Sequence, residues 1–135
     1  MNRDAADVEA RLRARGVNPT PQRIEIGLVL LPDPIHLSAE QILQRLRDGG
    51  SRISKATVYN TLNLFTAKGL VRAISVDPDR LVYDSTTEPH HHFYNEDTGE
   101  LTDIDPSAIG LPGIPTPPAG TRAESVEVLV RLRSR

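Results

Sequence analysis

Three consecutive stretches decide how the first part of this chain folds. They are Ser38-Ala-Glu-Gln-Ile-Leu-Gln-Arg-Leu-Arg-Asp-Gly-Gly50, Ser54-Lys-Ala-Thr-Val-Tyr-Asn-Thr-Leu-Asn-Leu-Phe-Thr-Ala-Lys-Gly69, and Leu70-Val-Arg-Ala-Ile-Ser-Val-Asp-Pro-Asp-Arg-Leu-Val-Tyr-Asp84. In the first, Ser38 and Gln41 have capping-box spacing, Ile42, Leu43 and Leu46 form an apolar face, and Gly49-Gly50 ends the run. In the second, Ser54 is an N-cap for a helix over 55–68. Val58, Leu62 and Phe65 make its buried stripe and Gly69 its stop. In the third, 70–76 and 80–84 alternate around Asp77-Pro78-Asp79, which predicts a β-hairpin. Helix, short turn, helix and hairpin, in that order, make a winged helix-turn-helix.

Working outward toward the N-terminus, 4–15 reads as a helix with Ala5, Val8 and Leu12 on one face and Gly16 as its stop. Thr20 caps a second helix that starts at Pro21, carries Ile24, Ile26, Leu28 and Leu31, and ends at Pro32-Asp33-Pro34. Toward the C-terminus, 91–95 and 100–104 read as strands joined by a turn around Asp97-Thr98. Residues 105–120 are rich in Pro and Gly and predict a loop. Residues 124–133 predict a strand with Val126, Val128, Val130 and Leu132 on one apolar face. The expected fold class is α+β, with a winged-helix domain over 1–84 and a small α/β dimerisation domain over 85–135. A domain this small cannot close its own core, and its apolar strand leaves an open edge, so a homodimer is expected.

The chain has 135 residues and a formal net charge of −2, which hides an asymmetry. Residues 1–83 carry 12 Lys/Arg against 9 Asp/Glu, while 84–135 carry 4 against 9. With no cysteine, disulfides, thiolate nucleophiles, iron–sulfur clusters and cysteine-type zinc sites are excluded. With no Trp, two Phe and three Tyr, aromatic platforms for single-stranded nucleic acid are not expected. No apolar run approaches the roughly 20 residues of a membrane span. The N-terminus is charged and has no signal-peptide core, so a cytoplasmic location and no membrane contact are expected.

Two sets of residues carry chemistry. On the fourth helix, Lys55, Thr57, Tyr59, Asn60 and Asn63 lie away from the apolar stripe. In a winged helix the third helix crosses the DNA backbone and the fourth enters the major groove. There Tyr, Thr and Asn reach base edges and Lys neutralises phosphate. A solvated helix face with no ligand has the same pattern. The second set is His90-His91-His92. On a strand His90 and His92 share a face, and the predicted turn puts Asp103 across from His92, with Asp84 shortly before. Mixed N/O donors suit Fe(II), Mn(II) or Zn(II) and do not suit Cu(I). Exposed histidines on a polar loop are the plainer alternative. His36, taken alone, reads as a local hydrogen-bonding residue.

Four segments together resemble the ferric uptake regulator family of bacterial metal-dependent transcription regulators. They are 12–23 (Leu-Arg-Ala-Arg-Gly-Val-Asn-Pro-Thr-Pro-Gln-Arg), 36–40 (His-Leu-Ser-Ala-Glu), 56–62 (Ala-Thr-Val-Tyr-Asn-Thr-Leu), and the stretch from Tyr83-Asp84 through the His run to Asp103. The resemblance implies a homodimer that binds AT-rich dyad operators in double-stranded DNA when loaded with a divalent metal. It implies one regulatory site made by His36, Asp84, His90, His92 and Asp103, and DNA contacts from Arg23, Tyr59 and Asn60. Asp rather than Glu at position 84 is similar to the peroxide-sensing members, in which His36 and His90 would be oxidised. The cysteines of the family's structural zinc site are replaced by Asn95 and Thr98, so that zinc is not expected. The His run without zinc cysteines and the Leu-Pro…Pro-Pro…Val-Arg-Leu-Arg ending resemble the iron response regulator branch. That branch implies haem at His90, His91 and His92. The rival of another class is a small non-haem metal enzyme that uses His90-x-His92-x-x-x-Glu96 as ligands. It would need a β-barrel, whereas the first 69 residues read as helices. A metal buffer or adaptor is a third alternative.

Overall fold

The structure, a computed structural model, describes residues 3–88, 90–110 and 113–135; Pro89 and the Leu111-Pro112 pair of the proline-rich stretch lie outside the described residues. The chain forms two compact units, Met1–Thr87 and Glu88–Arg135.

The first unit opens with α1 (Arg3–Ala14) and α2 (Pro21–Leu30). Thr20 caps α2 by accepting the Arg23 amide, and Pro21 sits where its missing N–H costs nothing. Val8 and Leu12 of α1 are buried against Ile26 and Leu30 of α2. The two helices approach closely at Gly27, where a Cβ would stand 2.6 Å from Val8 Cγ1. Next come β1 (His36–Leu37), α3 (Ala39–Asp48) and α4 (Lys55–Ala67). The predicted capping box is present on α3: Ser38 Oγ accepts the Gln41 amide and Gln41 Oε1 accepts the Ser38 amide. Ile42 and Leu46 of α3 pack with Val58, Leu62 and Phe65 of α4 in one core.

The wing is β2 (Arg72–Asp77) and β3 (Arg80–Asp84), antiparallel, with an irregularity between Ser75 and Asp77. Leu70 and Val71, expected to start the first wing strand, are instead buried in the helical core. The chain turns at Gly69 with φ +74°, a conformation glycine adopts without strain. The sheet has a third strand that the sequence does not announce. β1 pairs with β3, giving the order β1-β3-β2. Two residues are too few to show an alternation.

The second unit is a sheet of β4 (His91–Asn95), β5 (Leu101–Ile104) and β6 (Leu129–Leu132), in the order β5-β4-β6. β4 and β5 are antiparallel with His92 opposite Asp103, the predicted register. The Asn95–Gly99 turn is held by Asn95 Oδ1, which accepts the amides of Asp97 and Thr98. β6 lies parallel to β4. It spans only 129–132, not the expected 124–133, because β4 offers ladder partners only from His92 to Asn95. Upstream, Val126 is exposed. A 3₁₀ turn over Pro106–Ala108 is the one helical element among the described residues of 105–120. The β4–β5 turn grips the end of the chain. Glu96 pairs with Arg131 at 3.3 Å and Arg133 at 3.1 Å, and Asp97 accepts the Ser134 amide at 2.8 Å. Among the described residues, no helix is long and apolar enough to cross a membrane.

Candidate metal and nucleic-acid sites

In the first unit, the β1–β3 ladder sets His36 opposite Asp84. His36 Nε2 lies 3.2 Å from Asp84 Oδ2. Asp84 is fully buried at 0% exposure, so its carboxylate needs partners. Its Oδ1 accepts the Thr86 amide at 2.8 Å, the local turn that an Asp followed by polar residues favours. Ser85 fastens the same corner: its hydroxyl donates to the Asp33 carbonyl and accepts the Ile35 amide. The end of the wing strand is thereby tied to the segment that carries His36.

In the second unit, His90, His92 and Asp103 come together. His90 Nε2 is 2.9 Å and His92 Nε2 3.2 Å from the same oxygen, Asp103 Oδ1. The two rings stand 4.3 Å apart. Both histidines are buried, while Asp103 is at the rim with 43% of its side chain exposed. The hydrogen bonding of His90 decides what this cluster can do. Its Nδ1 lies 2.6 Å from the Glu88 carbonyl, which only accepts, so Nδ1 carries the proton. In the neutral ring, Nε2 then presents a lone pair to a carboxylate oxygen. Two acceptors meet there unless a proton or a metal cation lies between them. Ligand atoms about 2.1 Å from one ion, at angles of about 90–110°, are about 3.0–3.4 Å apart, close to the 2.9 and 3.2 Å found here. A backbone carbonyl that orients a histidine through its far nitrogen is also the usual outer support of a metal ligand. The donor set therefore fits a divalent ion of intermediate hardness.

His91 is set apart from its neighbours. Its Nδ1 accepts the Val128 amide at 2.9 Å, and the ring is buried. Strand alternation turns it to the face opposite His92, where it helps dock β6. The expected grouping of all three histidines therefore divides, with His90 and His92 at the carboxylate and His91 in a packing role. Glu96, the ligand of the enzyme alternative, is engaged with the two arginines of the C-terminal segment.

The candidate nucleic-acid residues lie on two neighbouring surfaces of the first unit. Arg23, Thr57 and Asn60 line a groove of about 450 Å³ with Thr20 and Gln22. Arg23 is held there by the Asn18 carbonyl at 2.9 Å. Thr57 is half-buried, and its hydroxyl accepts from Ser54 within the N-cap at 2.8 Å. Tyr59 lines a cleft of about 570 Å³ between α3, α4 and the wing, with Gln41, Gln44, Arg80 and Tyr83. Lys55 Nζ is 5.7 Å from the centre of the Tyr59 ring. Burial raises the Tyr83 phenol above its usual pKa, and the facing Tyr59 adds to the effect.

A sequence reading cannot reach Ser85, the Glu88 carbonyl or the Val128 amide. Each acts through a backbone contact or a ladder register that side-chain identity does not encode. Asp84 followed by Ser-Thr is the one local pattern that could have pointed to the turn.

A winged helix followed by a small sheet, with paired histidine and carboxylate donors, defines the class as a winged-helix protein with side chains that could hold a metal ion. The ferric uptake regulator family model matches residues 14–111, and the chain belongs to that family. It is 35% identical over 95 residues to the peroxide-responsive repressor PerR of Staphylococcus aureus, covering 70% of this chain and 64% of the relative. The match thus spans less than two thirds of the relative's own length. Among solved structures, the ferric uptake regulator of Pseudomonas aeruginosa with manganese is similar at a TM-score of 0.72 and 25% identity, covering 94% of this chain and 97% of that one. The Vibrio cholerae ferric uptake regulator shares the fold at a TM-score of 0.73 and 24% identity, covering 93% and 98%. The α+β fold class expected from the sequence is the one observed.

Proposed function

We propose that this chain is a metal-responsive DNA-binding transcriptional regulator, a repressor that acts as a homodimer on AT-rich dyad operators. The observation that carries this reading is the single carboxylate oxygen of Asp103 facing two histidine nitrogens, with the far nitrogen of His90 held by the Glu88 carbonyl. His36, Asp84, His90, His92 and Asp103 are the proposed ligands of one Fe(II) or Mn(II) ion, with Zn(II) also compatible with the donors. When bound, the ion supplies the positive charge that draws these donors together. The first unit by itself contributes two of them and the second three, so the state in which all five ligate is favoured by metal over one in which they do not. That differential affinity is what a metal switch requires.

DNA is bound by α4, with Lys55, Thr57, Tyr59 and Asn60 on the reading helix and Arg23 beside it. Residues 1–83 carry a small excess of positive charge, and a homodimer doubles it over two half-sites. Such a regulator works in the cytoplasm. The test is fluorescence anisotropy with an AT-rich dyad duplex, comparing Mn(II)-loaded and chelator-treated protein at one salt concentration. Binding with Mn(II) alone supports the reading, and His92→Ala then lowers Mn(II) affinity and uncouples DNA binding from metal. Binding in chelator that haem abolishes supports haem as effector, through His90 and His92. Binding in neither state refutes the reading.

A peroxide-sensing function is favoured by two observations, the similarity to the Staphylococcus aureus repressor and the aspartate at position 84. Peroxide treatment of the Fe(II)-loaded chain then adds one oxygen atom to peptides containing His36 or His90, read by mass spectrometry. Unmodified peptides refute it.

A further inference from the structure

We infer that Asn63 is a specificity-determining residue of the reading helix, and that Asn60 and Asn63 read two adjacent adenines in each half-site. The inference rests on the DNA-binding reading above and assigns the bases it discriminates. α4 spans Lys55–Ala67, with Val58, Thr61, Leu62 and Phe65 buried. Its exposed positions are Lys55, Ala56, Asn60, Asn63 and Ala67. The half-buried polar residues also make contacts within the first unit. Thr57 is tied into the N-cap, Thr66 donates to the Leu62 carbonyl at 2.8 Å, and Tyr59 lies beside Lys55 in the cleft toward the wing. Within the middle of the helix, the exposed hydrogen-bonding side chains are therefore Asn60 and Asn63. Among the described residues neither carboxamide has a hydrogen-bond partner.

Helix geometry fixes their relation. Three residues advance about 4.5 Å along the axis and about 60° around it, so both carboxamides project from one narrow face. Ala56 and Ala67 flank them on that face and leave room for a base edge to approach. The chemistry of the pair is selective. Guanine is read chiefly by Arg or Lys, whereas Asn reads adenine through N6 and N7 and alanine meets the thymine methyl. α4 carries no arginine, and its lysine sits at the first position, over Tyr59. Asparagine is moreover a weak helix former, and neither residue caps an end. Two asparagines in an exposed helix interior lower helix stability, so their presence points to a role outside the fold.

The test is selection of bound duplexes from a randomised pool by the full chain, run in parallel with Mn(II) and with chelator and read by sequencing. The wild type is expected to enrich adjacent A·T pairs in each half-site. Asn63→Ala is expected to lower the preference for adenine at one of these positions about tenfold, and Asn60→Ala at its neighbour, with binding to unrelated duplexes unchanged. Both variants should melt at or above the wild-type temperature, so misfolding cannot mimic the result. An unchanged motif with Asn63→Ala overturns the inference, and so does a uniform loss of affinity on all sequences, which would make Asn63 a phosphate contact. No enrichment by the wild type overturns the DNA-binding reading itself.

Discussion

Asp84 separates the support of the fold from the binding of metal, because two substitutions act differently on it. Asp84→Ala removes the acceptor of the Thr86 amide and the partner of His36. A hydrogen bond to a charged acceptor contributes about 1.5–3 kcal/mol, and a stranded polar group costs about 1–3 kcal/mol. Thr86 is half-exposed, so water replaces part of its bond, and loss of a fully buried carboxylate relieves some desolvation. The expected net loss is about 2–4 kcal/mol. Asp84→Asn keeps an oxygen for Thr86 and an amide for His36, so it should cost no more than about 1 kcal/mol. Urea unfolding in chelator, at fixed protein concentration, measures both as a shift in midpoint with an unchanged slope. Mn(II) titration is expected to show both variants weakened by about tenfold or more, since neither keeps the anionic ligand. An Asn variant with wild-type Mn(II) affinity would refute Asp84 as a ligand. An Ala variant as stable as the wild type would refute the buried pair as a support.

Three further outcomes are expected. Tyr59→Ala weakens operator binding about tenfold while Mn(II) affinity is kept, and equal loss of both would place Tyr59 in the fold rather than at DNA. Gly27→Ala puts a methyl 2.6 Å from the buried Val8 Cγ1. Overpacking of about 1–3 kcal/mol should outweigh the roughly 1 kcal/mol that alanine adds to helix propensity, and adding Val8→Ala should restore stability. A single variant more stable than the wild type would show the helices free to part there. Deletion of 124–135 removes β6 and should give monomers or insoluble protein by light scattering, whereas a stable dimer would refute the interface assignment.

Much of the first unit was legible because each helix is signalled more than once. α3 has a capping box, an apolar face and a Gly-Gly stop that agree, and α4 has Ser54, its stripe and Gly69. The β4–β5 register was legible from turn chemistry alone, and it put Asp103 opposite His92. His36 is hydrogen-bonded, as its sequence neighbourhood alone suggests, but its partner Asp84 is not legible there because β1 is a strand of two residues that exists only through its pairing with β3. The over-long final strand has the converse cause. Its apolar alternation from Val126 to Leu132 is real, but a strand extends only as far as its neighbour, and β4 is short. The division of the His run was hidden because His91 is fixed by an amide from a segment 37 residues away.

The hold of the β4–β5 turn on the last strand has a consequence for what the environment can do to this molecule. Glu96 and Asp97 grip Arg131, Arg133 and the Ser134 amide with ion pairs and one backbone hydrogen bond. Charges this exposed, with Arg133 75% accessible, each contribute about 0.2–1 kcal/mol and fade as ionic strength rises. A chain without cysteine has no thiol for an oxidant to attack and no thiolate zinc for a chelator to strip. The anchoring of β6 therefore answers to salt, and neither thiol oxidation nor loss of a thiolate-bound ion can loosen it.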